Sequence, residues 1–412
     1  MSFRTFDHEE YAVSTIRWTE ADVVRTVRWH SGSAAPPPRR VVVADDRMSA
    51  GTAHRLARQG TALLWRGDYH NARQLLRAMG RRLGSPPSLG QGDDPARAFH
   101  LHREARGRRA RVLGMLLVLL EDGSGEGGPG EGRPGEDGLR EGRPGQGGHV
   151  LNLRRAPDVR QACAEAYGTP RGPVAVALTE LLGVLGAHQW RVRGVQVPAL
   201  GARVHPHYGV FSPVRGEYVD LVARAPLPPG PVPAATAFDL GTGTGVLAAV
   251  LAGRGFGRVV ATDVSPRALA CARDNVHRLG LAGRVTVTGP ALYPGGRARL
   301  VVCNPPWLPA RPVSELERGV YDADSAMLRG FLDGLTGHLE PGGEGWLVLS
   351  DLAERLGVRT RADLLSLIEA AGLRVLGRID TRPRHPRAAD GADPLHAARA
   401  AEITSLWRLA PA

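Results

Sequence analysis

From residue 236 onward, short apolar runs alternate with longer stretches in which apolar positions recur every three or four residues. The runs AATAFDLG, RVVATDV, RVTVTG, ARLVVCN and EGWLVLSD read as strands. The stretches GVLAAVLAGRG, SPRALACARDNVHRLG, DSAMLRGFLDGLTGHL and RADLLSLIEAAG read as helices. Regular alternation of the two periods predicts an α/β fold, a doubly wound seven-stranded sheet covered by helices on both faces. Between the last two strands, LRVLGRIDT and AEITSLWRL, lies only an Arg- and Pro-rich loop from Arg382 to Arg399. The final strand is therefore expected to run antiparallel.

Upstream the pattern is helical and mixed. SAGTAHRLARQG and DYHNARQLLRAMGRRL have helical period, and Ala72, Leu75, Leu76, Met79 and Leu83 fall on one core-facing stripe. Arg103, Arg106, Arg108, Arg109 and Arg111 form a dense basic run, either a solvated face or one that meets a polyanion. Between Asp122 and Gly148, twelve of 27 residues are glycine, and EGRPGE is echoed by EGRPGQ, so this insert cannot form a core and is expected to be a flexible loop. The runs on either side of it, RVLGMLLVLL and HVLNLRR, are expected to pair. The resulting division is an N-terminal substrate-selecting region (1–121), the disordered insert (122–148), a continuation and lead-in hairpin (149–208) and a catalytic domain (209–412).

A chain of 412 residues exceeds what one hydrophobic core usually organises, which fits that division. No run of 18 uncharged apolar residues occurs and the first residues, MSFRTFDHEEY, lack an apolar signal region, so a cytoplasmic protein without membrane contact is expected. Cys163, Cys271 and Cys303 are far apart and form neither a disulfide framework nor a zinc knuckle. All 53 basic residues are arginine, which points to codon bias, but bias does not choose the sign of the charge. The formal +12 therefore still favours a polyanionic partner, RNA or DNA among them.

The chemistry concentrates at strand ends. Asp239 closes the first strand and is followed by Gly241, Thr242, Gly243 and Gly245, glycines that let the backbone approach a ligand beside free helix N–H groups. Val246 stands where a dinucleotide fingerprint wants its third glycine. Asp263, at the end of the second strand, is placed to accept from ribose hydroxyls or to cap the next helix. At the end of the fourth strand comes NPPW, Asn304 to Trp307. Neither Pro305 nor Pro306 has an N–H, so the loop offers acceptors and almost no donors. The side-chain oxygen of Asn304 and the carbonyl of Pro305 suit the two hydrogens of a planar NH2, with Trp307 stacking on the flat group behind it.

With these motifs in view, residues from about Val192 to Leu409 resemble the class I S-adenosylmethionine-dependent methyltransferases with a small-methyltransferase domain, carried by DLGTGTG, ATDVSPRALACARDN and VVCNPPW. That group includes release-factor and ribosomal-protein glutamine methyltransferases, ribosomal RNA guanine methyltransferases and adenine amino-methyltransferases. The resemblance implies S-adenosyl-L-methionine as cofactor, held by Asp239, Gly241, Gly243, Gly245 and Asp263, and a target nitrogen held by Asn304, Pro305, Pro306 and Trp307. Thr242, Val264, Ala291 and Asn304 complete the expected cofactor set; Phe211, Pro213 and Glu217 join Trp307 on the substrate side. The lead-in GVFSPVRGEYVDLV points two ways: GVFS is similar to the guanine enzymes, and Pro213 with Glu217 resembles the P-x-E-T-E stretch of the glutamine enzymes.

Other candidates are weaker. His205 and His207 have metal-like spacing without a third ligand, Cys303 is better placed for burial than for attack, and Tyr321, Asp322 and Asp324 either rim the pocket or, through Asp324, cap a helix. The expected activity is methyl transfer to a planar nitrogen, leaning to a glutamine side chain of a translation factor or ribosomal protein. The alternatives are an exocyclic amine of an RNA or DNA base, or S-adenosylmethionine binding without catalysis.

Overall fold

The computed structural model describes residues 14–84, 94–123, 147–384 and 395–412. Most of the glycine-rich insert and the middle of the 382–399 loop lie outside these residues. The chain divides into two compact units, one of the described residues of 1–85 and 105–188, the other of those of 86–104 and 189–412.

The N-terminal unit is built of β1 (Thr15–Glu20), β2 (Val23–Trp29), β3 (Arg40–Ala44), α1 (Ala50–Arg58), β4 (Thr61–Trp65), α2 (Tyr69–Arg82), the second part of α3 (Pro95–Leu113), β5 (Leu116–Asp122), β6 (His149–Leu151), α4 (Arg160–Tyr167), β7 (Val174–Ala177) and most of α5 (Leu178–Arg193). Its sheet runs β1-β2-β7-β5-β4-β3, with β6 on β5. The expected pairing across the insert is present: Leu120 faces Leu151 and Asp122 faces His149 in an antiparallel ladder. The helical stripe also appears, with Ala72, Leu75, Leu76 and Met79 of α2 buried. The mixed N-terminal region is thus a second α/β sheet.

In the C-terminal unit follow β8 (Val195–Val197), β9 (Ala202–Val204), α6 (Glu217–Arg224), β10 (Thr236–Leu240), α7 (Val246–Gly253), β11 (Arg258–Thr262), α8 (Pro266–Arg278), β12 (Val285–Thr288), β13 (Ala298–Cys303), α9 (Ala326–His338), β14 (Leu339–Ser350), α10 (Leu352–Arg355), α11 (Arg361–Ala370), β15 (Leu373–Thr381), α12 (His396–Ala400) and β16 (Thr404–Pro411). The sheet order is β12-β11-β10-β13-β14-β16-β15. Only β16 runs antiparallel, to both its neighbours. This is the doubly wound seven-stranded sheet the periodicity predicts.

Period-two alternation sends neighbouring residues to opposite cores. Ala237, Val259, Ala261, Leu300, Val302 and Trp346 pack with residues of α6 and α7. Phe238, Leu240, Val260, Val301, Cys303 and Leu347 pack with residues of α9 and α11. Both faces of the central strands are covered, so β10, β11 and β13 are mostly apolar, while the edge strands β12 and β15 keep exposed polar positions. Truncating one of these side chains, Leu300 for instance, would cost about 2–5 kcal/mol. The order of crossovers reverses between β10 and β13, and at such a reversal the loops beyond the strand ends diverge and leave a crevice.

Candidate functional site

Register places two loops at that crevice. In the parallel pair β10 and β13, Leu240 faces Cys303, so Gly241 and Asn304 leave the sheet side by side. The glycine loop is held from below by Asp239, which is buried and accepts at Oδ2 from the Thr242 hydroxyl at 2.6 Å and from the Ala248 N–H at 2.9 Å. Burial raises the pKa of this carboxyl to about 6. Gly241, Gly243 and Gly245 all have positive φ, a conformation that costs a non-glycine residue about 1–2 kcal/mol. A side chain at Gly243 would meet nothing within 4 Å, so the loop faces open space. The end of the Met327 side chain fills the gap at Gly241.

Asp263 bridges this loop and the next helix. Its Oδ2 accepts from the Gly243 N–H at 3.0 Å and its Oδ1 from the Ser265 N–H at 2.9 Å. The cap of α8 is the Ser265 side chain, so of the two roles open to Asp263 the structure assigns the cap to its neighbour. Burial raises the Asp263 pKa, while the N–H groups of Ser265, Gly243 and Val264 oppose that shift. Val264 beside it is 66% exposed, an apolar side chain left at the surface next to a half-buried acid. The Ala291 N–H donates to the Asp263 carbonyl at 3.2 Å, which ties the loop after β12 to the same edge. An acid facing the loop, an exposed apolar side chain and an open glycine turn fit a nucleoside carrying a sulfonium: ribose hydroxyls on Asp263, a flat purine on Val264.

In the second loop, the Trp307 indole N–H donates to Asn304 Oδ1 at 2.9 Å. This differs from the expectation of a loop with hardly any donors: one lone pair of the Asn304 oxygen is engaged and the other remains. The indole orients the amide as well as presenting a face. That face carries the Arg215 guanidinium, 5.3 Å from the ring centroid. Arg215 is in turn held by Glu217 Oε1 at 3.0 Å, and its Nη2 lies 3.2 Å from Glu402 Oε1. Glu217, expected to touch substrate, is buried and committed to Arg215, so its reach toward a substrate runs through that guanidinium. Pro305 and Pro213 are buried as well, and Pro306 is half-buried. Phe211 is 37% exposed and packs where Gly319 leaves room for its ring.

Asp322, not Asp324, caps the helix after this loop: its carboxylate accepts from the Met327 and Leu328 N–H groups at 3.0 to 3.1 Å. Asp324 sits exposed with φ of 55°. Cys303 is fully buried and its thiol is pushed far above the ordinary range by that burial, which excludes it as a nucleophile. His207 Nε2 lies 3.1 Å from Asp274 Oδ2, while Asn275 grips both the N–H and the carbonyl of His205. These histidines pin the lead-in to α8, and no metal-binding group occurs among the described residues.

Sequence reasoning missed Arg215, Arg359 and Met327. Arg215 had a signal, since it stands two residues before Glu217 in the lead-in. Arg359 had none: it is 7% exposed, reaches the Trp307 carbonyl from 52 residues away at 3.5 Å, and leaves its Nε without an acceptor among the described residues.

Phe211, Val214, Val313 and Leu316 are all exposed, and the segment 311–320 balances Arg311 and Arg318 against Glu315 and Glu317. The charges of that segment cancel, and two arginines reach these loops from elsewhere, Arg103 on the Arg311 carbonyl and Arg215 on the Trp307 ring.

Residues 201–355 match the family model described as methyltransferase small domain. The release factor glutamine methyltransferase of Cereibacter sphaeroides is 34% identical over 169 residues, covering 37% of this chain and 58% of that protein. The ribosomal protein L11 methyltransferase of Pelotomaculum thermopropionicum is 49% identical over 74 residues, covering 18% of this chain and 24% of that protein. The chain thus spans less than two thirds of the length of these relatives. Among solved structures, the ribosomal protein L11 methylase of Lactobacillus delbrueckii subsp. bulgaricus is similar with a TM-score of 0.33 and 17% identity, over 49% of this chain and 82% of that one.

Proposed function

From the premise that residues 201–355 form a methyltransferase small domain, we propose that the C-terminal unit methylates a planar NH2 nitrogen, the side-chain amide of a glutamine in a protein. The observation that carries this reading is the register of β10 on β13, which sets the open glycine loop beside Asn304. S-adenosyl-L-methionine, when bound, supplies a methyl group on a positively charged sulfur and needs no further activation. Asp263 and Val264 would hold its nucleoside, with Gly241, Thr242, Gly243 and Gly245 below it and Ala291 nearby.

The remaining work is orientation. Asn304 Oδ1 accepts one N–H of the target with its free lone pair and the Pro305 carbonyl accepts the other, so the nitrogen lone pair faces the glycine loop. Trp307 keeps the amide of Asn304 from rotating. Arg215, paired with Glu217 and Glu402, keeps the indole in place. The exposed apolar side chains Phe211, Val214, Val313 and Leu316 support a protein segment as the visitor. A translation-factor substrate would place the reaction in the cytoplasm.

The test is transfer of labelled methyl groups to release factors, ribosomal proteins and RNA, followed by identification of the modified residue. Label on a glutamine side chain is the expected result. Label on a nucleobase amine would move the target to nucleic acid, and cofactor binding without any label would refute the catalytic reading.

A further inference from the structure

We infer that the N-terminal unit carries a binding site for the phosphodiester backbone of a nucleic acid, at the seam of helices α2 and α3. Helix α2 together with residues 105–113 of α3 holds eight arginines and no carboxylate. Among the described residues, acids meet α2 only at its N-terminus, where Asp68 caps it and Asp46 bonds Asn71, about three turns from Arg81. Arg73, Arg77 and Arg81 recur at every fourth position, so their stems rise along one side of α2 in steps of roughly 6 Å.

A cavity of about 510 Å³ opens at this seam, lined by Arg77, Gly80, Arg81, Gly84 and Arg109. Its shape depends on a missing side chain. A Cβ at Gly80 would lie 2.7 Å from Arg109 Nη2, and in its absence Arg109 Nη1 reaches the Gly80 carbonyl at 2.6 Å. One guanidinium is thereby fixed against α2. Neither Arg77 nor Arg81 has a carboxylate partner among the described residues. Arginines near helix ends stabilise the dipole, which accounts for Arg81, Arg82 and Arg111. It does not account for Arg77 or Arg109.

Cations crowded without counter-ions repel one another, and a strand of phosphates relieves that repulsion while matching the planar donor fork of arginine. The cavity lining offers no aromatic side chain, so the site would read backbone rather than bases. This inference is independent of the methyl-transfer reading, since it rests on a different unit.

The experiment is anisotropy of labelled single-stranded RNA, single-stranded DNA and duplex RNA with the full chain, as a function of salt, for wild type, R77Q/R81Q and a control, R17Q/R40Q. The control removes the same charge from two exposed positions on β1 and β3. R77Q/R81Q is expected to weaken binding roughly tenfold or more at 0.1 M salt, with the salt slope falling by about 1.4 for single strands. The control is expected to change affinity less than about threefold. The tightest of the three probes identifies the source of the backbone. Equal losses in both variants, unchanged binding in R77Q/R81Q, or displacement of the nucleic acid by polyglutamate at equal charge would overturn the proposal. Melting curves of both variants establish that each remains folded, which separates lost binding from lost helix-end stabilisation.

Discussion

After strand β10 the backbone turns through Gly243, where a side chain would meet nothing within 4 Å, whereas after strand β4 it turns through Gly67, where a side chain would meet Asp46 Oδ1 at 2.5 Å. Both turns lead from a parallel strand into a helix. In the N-terminal unit the space is filled from within: Asp46 Oδ1 accepts from the Asp68 N–H and from Asn71 Nδ2, each at 3.0 Å, and Asp68 caps α2. In the C-terminal unit the corresponding acid, Asp263, stands at the loop's flank and leaves the space open. Topology explains the contrast. Crossovers from β3 to β4 to β5 proceed in one direction, while those of the second sheet reverse at β10 and β13. Only a reversal separates adjacent loops enough to admit a ligand.

The buried acids of the two turns contrast as well. The Arg155 guanidinium, 2.6 Å away, holds the Asp68 carboxyl down to about 2. Burial instead pushes Asp239 up to about 6. One acid is committed to a structural ion pair and the other to a site with no cation against it.

The largest expected effect is on Asn304. N304A should lower methyl transfer by about 10²–10³-fold, the size of a lost transition-state contact. Cofactor affinity measured by calorimetry should change little under the proposed reading, in which Asn304 holds the acceptor. Next come the two glycines. G243A puts a methyl group into the open loop at a φ of 55°, and should weaken cofactor binding about tenfold while costing about 1 kcal/mol of stability. G67A should do the reverse, costing about 1–3 kcal/mol by displacing Asp46 while leaving cofactor affinity unchanged. Equal behaviour of the two variants in denaturation and titration would erase the distinction between open and closed turns.

W307F keeps an aromatic face but removes the indole donor to Asn304. It should reduce kcat roughly 2–10-fold with little change in KM. R215A should lower kcat in the same way and, by leaving Glu217 and Glu402 buried without their cation, also cost about 3–5 kcal/mol of stability. The smallest effect concerns pH. The folded pKa of Asp239 lies above its unfolded value near 3.9, so its contribution to stability is full below about pH 4 and is lost as pH rises through about 6. Asp68 behaves oppositely: its contribution is present above about pH 4 and is lost as pH falls toward 2. Urea midpoints across pH should therefore lose their decline between pH 4 and 6 in D239N, and lose part of their acid sensitivity in D68N.

The C-terminal sheet was legible because its central strands are apolar on both faces and its turns carry glycine, proline and acid at the ends. The reversed last strand followed from the lack of a crossover-length helical stretch between LRVLGRIDT and AEITSLWRL; the connection does hold a short helix that was not expected, α12 (His396–Ala400), about a turn and a half long. The N-terminal sheet was harder to read. Its hairpin strand β2 exposes Val23 and Val24, shows no alternation of buried and exposed positions, and pairs on its far side with β7, well over a hundred residues along the chain, so no local period marks it. At the site, the loops were legible and the contacts between them were not. The bond from Trp307 to Asn304 and the cap from Asp322 rather than Asp324 are local, but they depend on how the loop folds and not on residue type; the reach of Arg359 to the Trp307 carbonyl joins segments that no spacing rule connects.

The central claim is that the glycine loop and the Asn304 loop form one crevice. A crystal structure with S-adenosylhomocysteine tests it most directly. The expected result is a ribose on Asp263 and a sulfur atom facing the side chains of Asn304 and Trp307 across open space. A ligand seated away from the Gly243 turn, or a sulfur turned from Asn304 with protein between them, would contradict it.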